Sequence, residues 1–401
     1  MYVSVGFSDN PDSEAAVTAA INSALENSQR QGSCSLIMLF ATIAHDQHFI
    51  RRIISNQLGA DTLVIGGGAI GVVTNSGFGY SGYQLGVAMI WLESVDCRLY
   101  VESAMMDRER EVGISIGSRL KKKGLEPDTP AILFYDAIDR SQGELRLNLA
   151  TPLLQGLEES LGFLPRRLVG AGLMSDFECS AGQVWTGRGG DSGHSVLLTF
   201  LGDLRLDSIV FHGCHPAGEY YTVTKAEKQM ILEIDGQPAL SYLESRLKPA
   251  MTAEDFPFFM IFGVNRNPPG SNNHELYANR LCLGINRDRE GIVMFESDMM
   301  AGTRFQIMYR SIDLEYIPPR VNQLFSNLGN RRPVFAFYID CAGRTGGFSE
   351  GVEDALVVRD TVADRVPLLG IYSGVEIAPI LGIPRTLDWT GVFCLFSLPP
   401  E

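Results

Sequence analysis

Short apolar runs alternate with segments of helical periodicity along most of the chain, and this alternation restricts the fold more than any other feature. Residues 2–7, 35–42 and 62–70 each form a run that predicts a strand. Between the first two runs, apolar residues recur every three or four positions over residues 16–25, which predicts a helix. Such alternation is typical of α/β domains. We therefore predict a mixed α/β (α+β) fold with mixed β-sheets flanked by helices and αββα-type layering where two sheets face each other.

The rest of the chain continues the alternation and indicates two fused domains. We predict helices at residues 108–123, 143–161, 238–247, 319–328 and 350–363, one long strand at 222–234, and two strands that finish the chain. A length of 401 residues is more than one compact core usually holds. The segment Lys248-Pro249-Ala250-Met251-Thr252 is the best linker candidate. We predict domains at 1–247 and 253–401.

Composition and charge exclude several classes of protein. The formal net charge is −14 with no basic patch, so neither nucleic acid nor an anionic membrane surface is an expected partner. No apolar run approaches a membrane span, and the N-terminus lacks a secretory pattern. The seven cysteines are scattered without a CxxC pair, which favours reduced thiols and a cytoplasmic location.

The stretch YIDCAGRTGG places an acid, a thiol and a base where an apolar strand enters a glycine-rich turn. Cys341 would need a base to act as a nucleophile, and no catalytic histidine can be assigned to it. The Arg344 guanidinium suits recognition of a carboxylate or another planar anion. The alternative is an ion pair between Asp340 and Arg344 that holds the turn.

A second polar position follows in LLGIYSGVEIAPILG, where Glu376 stands two residues after Gly374. The neighbouring residues are apolar, so this carboxylate should be at least half-buried and should need a partner. An arginine for a carboxylate and a glutamate for an ammonium would suit an amino-acid-like ligand. We therefore group Asp340, Cys341, Arg344, Gly374 and Glu376 as candidate ligand-binding residues.

Two further glycine-rich strand ends are candidates for the same site. Gly67 and Gly68 follow an apolar run, but their spacing is not GxGxxG, so we expect a tight turn at the rim of a small-ligand pocket. The stretch VGAGLMSD ends with Asp176 and lacks the GxSxG nucleophile pattern. Asp176 either contributes polarity to the pocket or caps a turn.

The histidines offer a different chemistry. His212 and His215 lie on opposite sides of one strand and therefore do not form a metal pair. A single axial ligand to haem demands less, and His212 and His215 are the candidates; His45, His48, His194 and His274 also stay open.

The order of these motifs resembles a known family. YIDCAGRTGG, PLLGIYSGVEIAP and TGVFCLFSL resemble the C-terminal FIST domain. VIGGGAIGVV, LVGAGLMSD and FHGCHPAGEYYTVTKAEKQMILEIDGQPAL resemble the N-terminal FIST domain, and the resemblance covers nearly the whole chain. It implies a sensory module of signal transduction that binds a small ligand such as an amino acid.

The resemblance also implies partners. Some bacterial members resemble haem-binding nitric-oxide sensors that act on histidine kinases or cyclic-di-nucleotide enzymes, and eukaryotic relatives carry an F-box. We expect no F-box or output domain here, so a separate signalling protein would receive the signal. We thus expect a non-enzymatic sensor of an amino-acid-like or other small anion. A haem-dependent gas sensor is the alternative, and a Cys341-dependent hydrolase is the third.

Overall fold

The computed structural model describes residues 1–28, 30, 33–57, 62–80, 82–103, 105–140, 143–187, 194–349 and 351–400. The first part of the chain contains β1 (Tyr2–Ser8), α1 (Ser13–Ser28), β2 (Leu36–Ala41), α2 (Gln47–Gln57), β3 (Leu63–Gly68), β4 (Gly71–Thr74), β5 (Phe78–Gly79), β6 (Leu85–Trp91), β7 (Asp96–Ser103) and α3 (Glu109–Lys122). Next come β8 (Ala131–Asp136), β9 (Ile138–Asp139), β10 (Arg146–Leu147), α4 (Ala150–Leu161), β11 (Leu168–Leu173), β12 (Val184–Thr186), β13 (His194–Leu201), β14 (Arg205–Phe211), β15 (Cys214–Glu227), β16 (Met230–Ile234), β17 (Gln237–Pro238) and α5 (Ala239–Leu247).

The remaining elements are β18 (Ile261–Asn265), β19 (Tyr277–Asn286), β20 (Gly291–Met294), β21 (Arg304–Arg310), α6 (Ile317–Ser326), β22 (Arg332–Cys341), α7 (Asp354–Val362), β23 (Leu368–Ser373), β24 (Val375–Ile380), β25 (Ile383–Leu387) and β26 (Gly391–Leu398). Short 3₁₀ turns lie at Ala253–Asp255, His274–Leu276, Ala342–Arg344 and Gly346–Phe348.

One helix–strand–helix–strand unit occurs three times. The units are α1-β2-α2-β3, α3-β8-α4-β11 and α6-β22-α7-β23. In each unit the two strands are parallel neighbours, and the helix between them provides the crossover that parallel pairing requires. The second strand of each unit contains glycine, three residues in LVIGGG, two in LVGAGL and one in LLGIYS. The three units therefore give each sheet a parallel centre.

Antiparallel strands complete three mixed sheets, which confirms the predicted mixed α/β class. Their orders are β1-β6-β2-β3-β12, β25-β24-β11-β8-β13-β7 and β14-β26-β22-β23-β4-β5. The last two sheets each combine strands from both sides of the predicted linker at 248–252, through β24 on β11, β4 on β23 and β14 on β26. The division at 247/253 stays a sequence-based prediction.

The apolar strands explain the layering, because their successive side chains point to opposite faces. In β8, Phe134 packs into the core shared by the sheets, while Leu133 packs with the helices. In β22, Phe337 and Tyr338 divide in the same way. The Phe134 ring lies 5.9 Å from that of Phe337 and 5.2 Å from that of Phe40 in β2, centroid to centroid. The sheets thus face each other with helices outside, as the sequence predicts.

A barrel stands beside the layered sheets. Its strands follow the order β15-β21-β18-β19-β20-β16, and β16 pairs again with β15, which closes the circle. All of the pairings are antiparallel. The interior is apolar, and Phe262 and Phe305 stack inside it with ring centroids 4.4 Å apart. This barrel also draws strands from both sides of the predicted linker.

Several predicted elements are wrong in detail. The helix predicted at 143–161 begins only at Ala150, after the short strand β10 (Arg146–Leu147). The single strand at 222–234 is a hairpin of β15 and β16, whose turn holds Lys228 at φ 51°. The run at 62–70 ends at Gly68, and a separate strand, β4, begins at Gly71. Four strands, β23 to β26, finish the chain instead of two. In each of these strand cases a turn divides a stretch that the sequence pattern predicts as one continuous strand. The pattern of apolar residues alone does not mark such turns.

Candidate ligand-binding site

The site lies where the central parallel strands end. Cys341 is the last residue of β22, Gly374 follows β23 and Met174 follows β11. The carboxyl ends of parallel strands are where α/β sheets commonly bind ligands. The chain passes at Gly374 from one sheet to the other, and its N–H donates to Gly172 O over 2.9 Å. The edges of the two sheets therefore meet at this point.

Gly374 must be small for this crossing. A Cβ built on it would lie 2.3 Å from Met174 Sδ, which is closer than non-bonded atoms approach. The glycine thus allows the Met174 side chain to pack directly on the backbone that joins the sheets.

A cavity of about 270 Å³ opens beside these strand ends. Five aromatic side chains line it: Phe177, Phe258, Phe295, Phe348 and Trp389. Three sulfur-containing residues, Met174, Cys179 and Cys341, also line it. Leu281, Ala342, Gly343 and Gly374 complete the described lining. The volume lies just below the range of about 300–1,000 Å³ that is typical of small-molecule sites.

The described lining contains no charged side chain. Ligands for such a wall are held by apolar contact, because a buried ionic group without a partner would lose its hydration at high cost. At the mouth, Phe177, Phe258 and Phe348 are each 41–44% exposed to solvent. Cys341, at 3% exposure, lies at the enclosed end.

The cavity is shared between the two predicted halves of the chain. Met174, Phe177 and Cys179 belong to the turn after β11, whereas the barrel contributes Leu281 from β19 and Phe295 just after β20. An occupant would therefore contact the layered sheets and the barrel together.

Trp389 is fixed between these parts. The preceding residue, Asp388, accepts a hydrogen bond from Leu281 N over 2.9 Å, which ties this segment to the barrel. Trp389 itself has a positive φ of 53°, and its ring lies against Gly343, where an added Cβ would be 2.6 Å from the ring. The indole is thus a rigid part of the wall.

The structure gives Arg344 a different role from the predicted ligand contact. Its guanidinium is completely buried and donates to Asp340 Oδ1 over 3.0 Å, to the Asp354 carboxylate, to His212 O over 2.8 Å and to Tyr316 OH over 3.3 Å. It does not line the cavity. Because its donors are already committed, Arg344 cannot serve an external carboxylate. The arrangement is the one described by the alternative interpretation, in which an ion pair between Asp340 and Arg344 holds the turn.

Glu376 does not line the cavity either, although it is fully buried as expected. Its Oε1 accepts from Ser373 Oγ over 3.0 Å and its Oε2 from Thr390 N over 3.4 Å. Burial, together with the nearby Asp388 and Asp340 carboxylates, raises the pKa of Glu376 well above its usual range. Both carboxylate oxygens already accept hydrogen bonds within the protein, and burial disfavours the charged form that pairing with an ammonium group would need.

Gly67 and Gly68 support the site from behind and do not form its rim. A Cβ on Gly67 would meet Leu173 Cδ1 at 2.4 Å, and one on Gly68 would meet Ser175 Oγ at 2.7 Å. They let β3 approach the end of β11. Asp176 accepts from Glu178 N and Ser180 N, over 3.0 and 2.9 Å, and so shapes the turn.

The Asp176 turn carries Phe177 and Cys179 into the lining. Of the eight predicted ligand-binding residues, Cys341 and Gly374 therefore line the cavity. None of the aromatic residues in the cavity wall is among the predicted site residues. The available signal was phenylalanine among glycine or acidic loop residues, in SDFE, EDFPFF and GGFSE.

The predicted haem ligands do not fit a haem site. His212 is completely buried, its Nδ1 accepts from Cys214 N over 2.9 Å, and burial lowers its pKa to about 3. His215 is half-buried and stacks on Tyr309, with centroids 5.5 Å apart. Neither lines the described cavity.

The described ranges contain neither a candidate metal site nor a candidate membrane-spanning helix. No group of three or more His, Cys, Asp or Glu side chains among the described residues could hold a metal ion. No helix in that part of the chain is long and apolar enough to cross a membrane.

Comparison with known families agrees with the predicted resemblance. The model of the FIST N domain matches residues 35–237, and the model of the FIST C domain matches residues 239–379. No curated protein matches the chain. FIST domains are sensory domains of signal transduction and are not catalytic. The chain, with a FIST N domain followed by a FIST C domain, belongs to the FIST family.

Proposed function

We propose that this protein is a sensor that binds a small, predominantly apolar molecule in the cavity between the sheets and the barrel. One observation carries this proposal: the described wall consists of aromatic, sulfur-containing, aliphatic and small residues, none of them charged. Burial of apolar area would supply most of the affinity, at about 25 cal/mol per Å². An amino-acid-like ligand or a small anion is less favoured, since Arg344 and Glu376 are committed elsewhere.

The signal would pass to a separate protein, for which a histidine kinase or a cyclic-di-nucleotide enzyme is the candidate. This proposal is supported by the fact that the layered sheets and the barrel both contribute residues to the cavity wall. Phe177 follows a strand of the layered sheets, whereas Phe295 belongs to the barrel. A ligand that contacts both stabilises one relative placement of these parts, and a partner that prefers the same placement would respond.

A binding experiment tests the ligand preference. Purified protein is titrated with 4-propyltoluene, leucine and glutamate, with tryptophan fluorescence and the melting temperature Tm as readouts. We expect saturable binding of 4-propyltoluene alone. Saturable binding of either amino acid without binding of the hydrocarbon would overturn the proposal.

A matched pair of variants locates the site. Ala342 lines the cavity, so Ala342→Phe should fill it and weaken binding of 4-propyltoluene at least tenfold. Ala301 is exposed and outside the lining, so Ala301→Phe should bind as the wild type does. Equal affinities in the two variants would place the site elsewhere.

Haem is tested in the same preparation. Because neither His212 nor His215 lines the cavity, we expect no saturable Soret shift that depends on either histidine. A stoichiometric shift lost in His212→Ala or His215→Ala would restore the gas-sensor alternative.

A further inference from the structure

A small void lies directly behind the cavity. It has a volume of about 10 Å³, which is close to the least that holds one water molecule. Met174, Phe295 and Gly374 line both spaces and therefore form the partition between them. On the far side, the void is lined by Asn148 and by apolar residues.

Asn148 has an unused acceptor in this place. Its side chain is 98% enclosed, its Nδ2 donates to Asp136 O over 2.7 Å, and its backbone N donates to Ala137 O over 2.9 Å. Its Oδ1 has no donor among the described residues. Reversing the amide would place two oxygens against each other at Asp136 O, so the contact fixes the orientation.

A buried carbonyl oxygen without a donor destabilises the state that contains it. The void has room for at most about one water molecule, which could act as that donor. A ligand group in the same position would replace the water and make the bond directly. Among the described residues that line this void, Asn148 has the only polar side chain.

The Met174 side chain lies where a passage from the cavity to the void would have to form. This side chain is long, unbranched and readily repacked, and it lies between the two spaces. Rotation of Met174 would join the void to the cavity without moving a strand. The enlarged space would be apolar along its length, with the Asn148 Oδ1 acceptor at its inner end.

We infer that the ligand is a small neutral molecule with an aryl or alkyl body and a hydrogen-bond donor at its inner end, which Asn148 Oδ1 accepts. A hydroxyl or an amide N–H supplies such a donor. This inference rests on the proposed function, since it specifies the occupant of the same cavity. The donor group would distinguish the ligand from hydrocarbons of the same shape.

The test compares 4-propylphenol with 4-propyltoluene, which differ by a hydroxyl in place of a methyl group. The full-length wild type should bind the phenol about fivefold more tightly, as one net hydrogen bond allows. In Asn148→Leu, which has a similar shape and no acceptor, the hydrocarbon should bind more tightly. Equal ratios of the two dissociation constants in both proteins would overturn the inference while leaving the proposed function intact. Failure of both compounds to bind the wild type would instead overturn the proposed function, and the inference with it.

A second variant guards against misfolding of Asn148→Leu, which also removes the bond to Asp136 O. Met174→Ala removes the Met174 side chain from the partition and keeps Asn148. It should increase the preference for the phenol beyond that of the wild type. An unchanged or reduced preference, in a variant with a cooperative thermal transition, would show that Asn148 does not meet the ligand.

Discussion

The Arg344 guanidinium donates to the Asp340 carboxylate over 3.0 Å, and neither side chain has more than 1% of its surface exposed. The same guanidinium pairs with Asp354, and Asp354 in turn accepts from Arg310 NH2 over 3.0 Å. These groups connect the end of β22, the start of α7 and the end of β21. The network therefore holds the turn that contributes Cys341 to the cavity wall.

Removal of Arg344 should destabilise the fold. Arg344→Ala leaves the buried Asp340 carboxylate without its ion-pair partner and leaves Asp354 with Arg310 alone. Loss of one partner from a buried pair typically costs about 3–5 kcal/mol. We expect a fall of that size in the free energy of unfolding, measured by urea denaturation. Arg166→Ala breaks the exposed Arg166–Asp128 pair and should change stability by less than about 1 kcal/mol. A fully stable Arg344→Ala that fails to bind ligand would instead support a direct contact.

The layered architecture could be predicted from the sequence because each buried strand is marked by an apolar run within its own residues. Runs such as LIMLFA in β2 and VFAFYI in β22 are apolar on both faces, which only a strand covered on both sides allows. The barrel could not be predicted in this way. Its closure depends on β15 pairing with both β21 and β16, and apolar alternation does not encode which strands become neighbours.

The sequence could place Cys341 and Gly374 at strand ends, but it could not show the partners of the polar residues beside them. YIDCAGRTGG does lead to the cavity, through Cys341. The polar residues around it looked available because a sequence shows no partners. Besides Asp340, the partners of Arg344 include Asp354, ten positions away, and His212 O, 132 positions away, so only the folded chain reveals that its donors are used.

Glu376→Gln should leave ligand binding unchanged. Burial first, and then the Asp388 and Asp340 carboxylates, raise the pKa of Glu376 and so favour its neutral form, of which the amide is a near isostere. We expect wild-type affinity for 4-propylphenol and a change in unfolding free energy of about 1 kcal/mol or less. A tenfold loss of affinity in a stable variant would mean that an ionised Glu376 contacts the ligand.

The two cavity thiols should react at different rates with an aromatic disulfide reagent. Cys179 is the only one of the seven cysteines that is not buried. Burial, followed by the effect of Glu376, raises the pKa of Cys341 well above that of a free thiol, and the thiolate is the reactive form. Labelling followed by mass spectrometry should find Cys179 modified first and Cys341 slowly.

Ligand binding should slow both modifications, while Cys394 in the core stays unmodified with or without ligand. Modification of Cys341 that is fast and insensitive to ligand would contradict an enclosed position at the end of the cavity.

The buried Glu296 should make stability fall as the pH rises. Its Oε1 accepts from Ala150 N and its Oε2 from Thr151 N, both over 2.9 Å, so it binds the N-terminus of α4. Burial raises its pKa from 4.5 to about 7, although these hydrogen bonds act in the opposite direction. The native state therefore keeps a proton that the unfolded chain has released. The resulting stabilisation is complete below about pH 4.5 and is lost as the pH rises through about 7.

Urea unfolding at pH 5 and pH 8 measures this contribution. The wild type should lose roughly 2 kcal/mol more between the two conditions than Glu296→Gln, which cannot titrate. Asp388, whose burial raises its pKa to about 6, acts with the same sign, so the difference between the two proteins isolates Glu296. Glu159→Gln, on the surface of α4, should keep the wild-type dependence on pH. An identical pH dependence in Glu296→Gln and the wild type would mean that Glu296 is ionised throughout and binds α4 as a permanent anion.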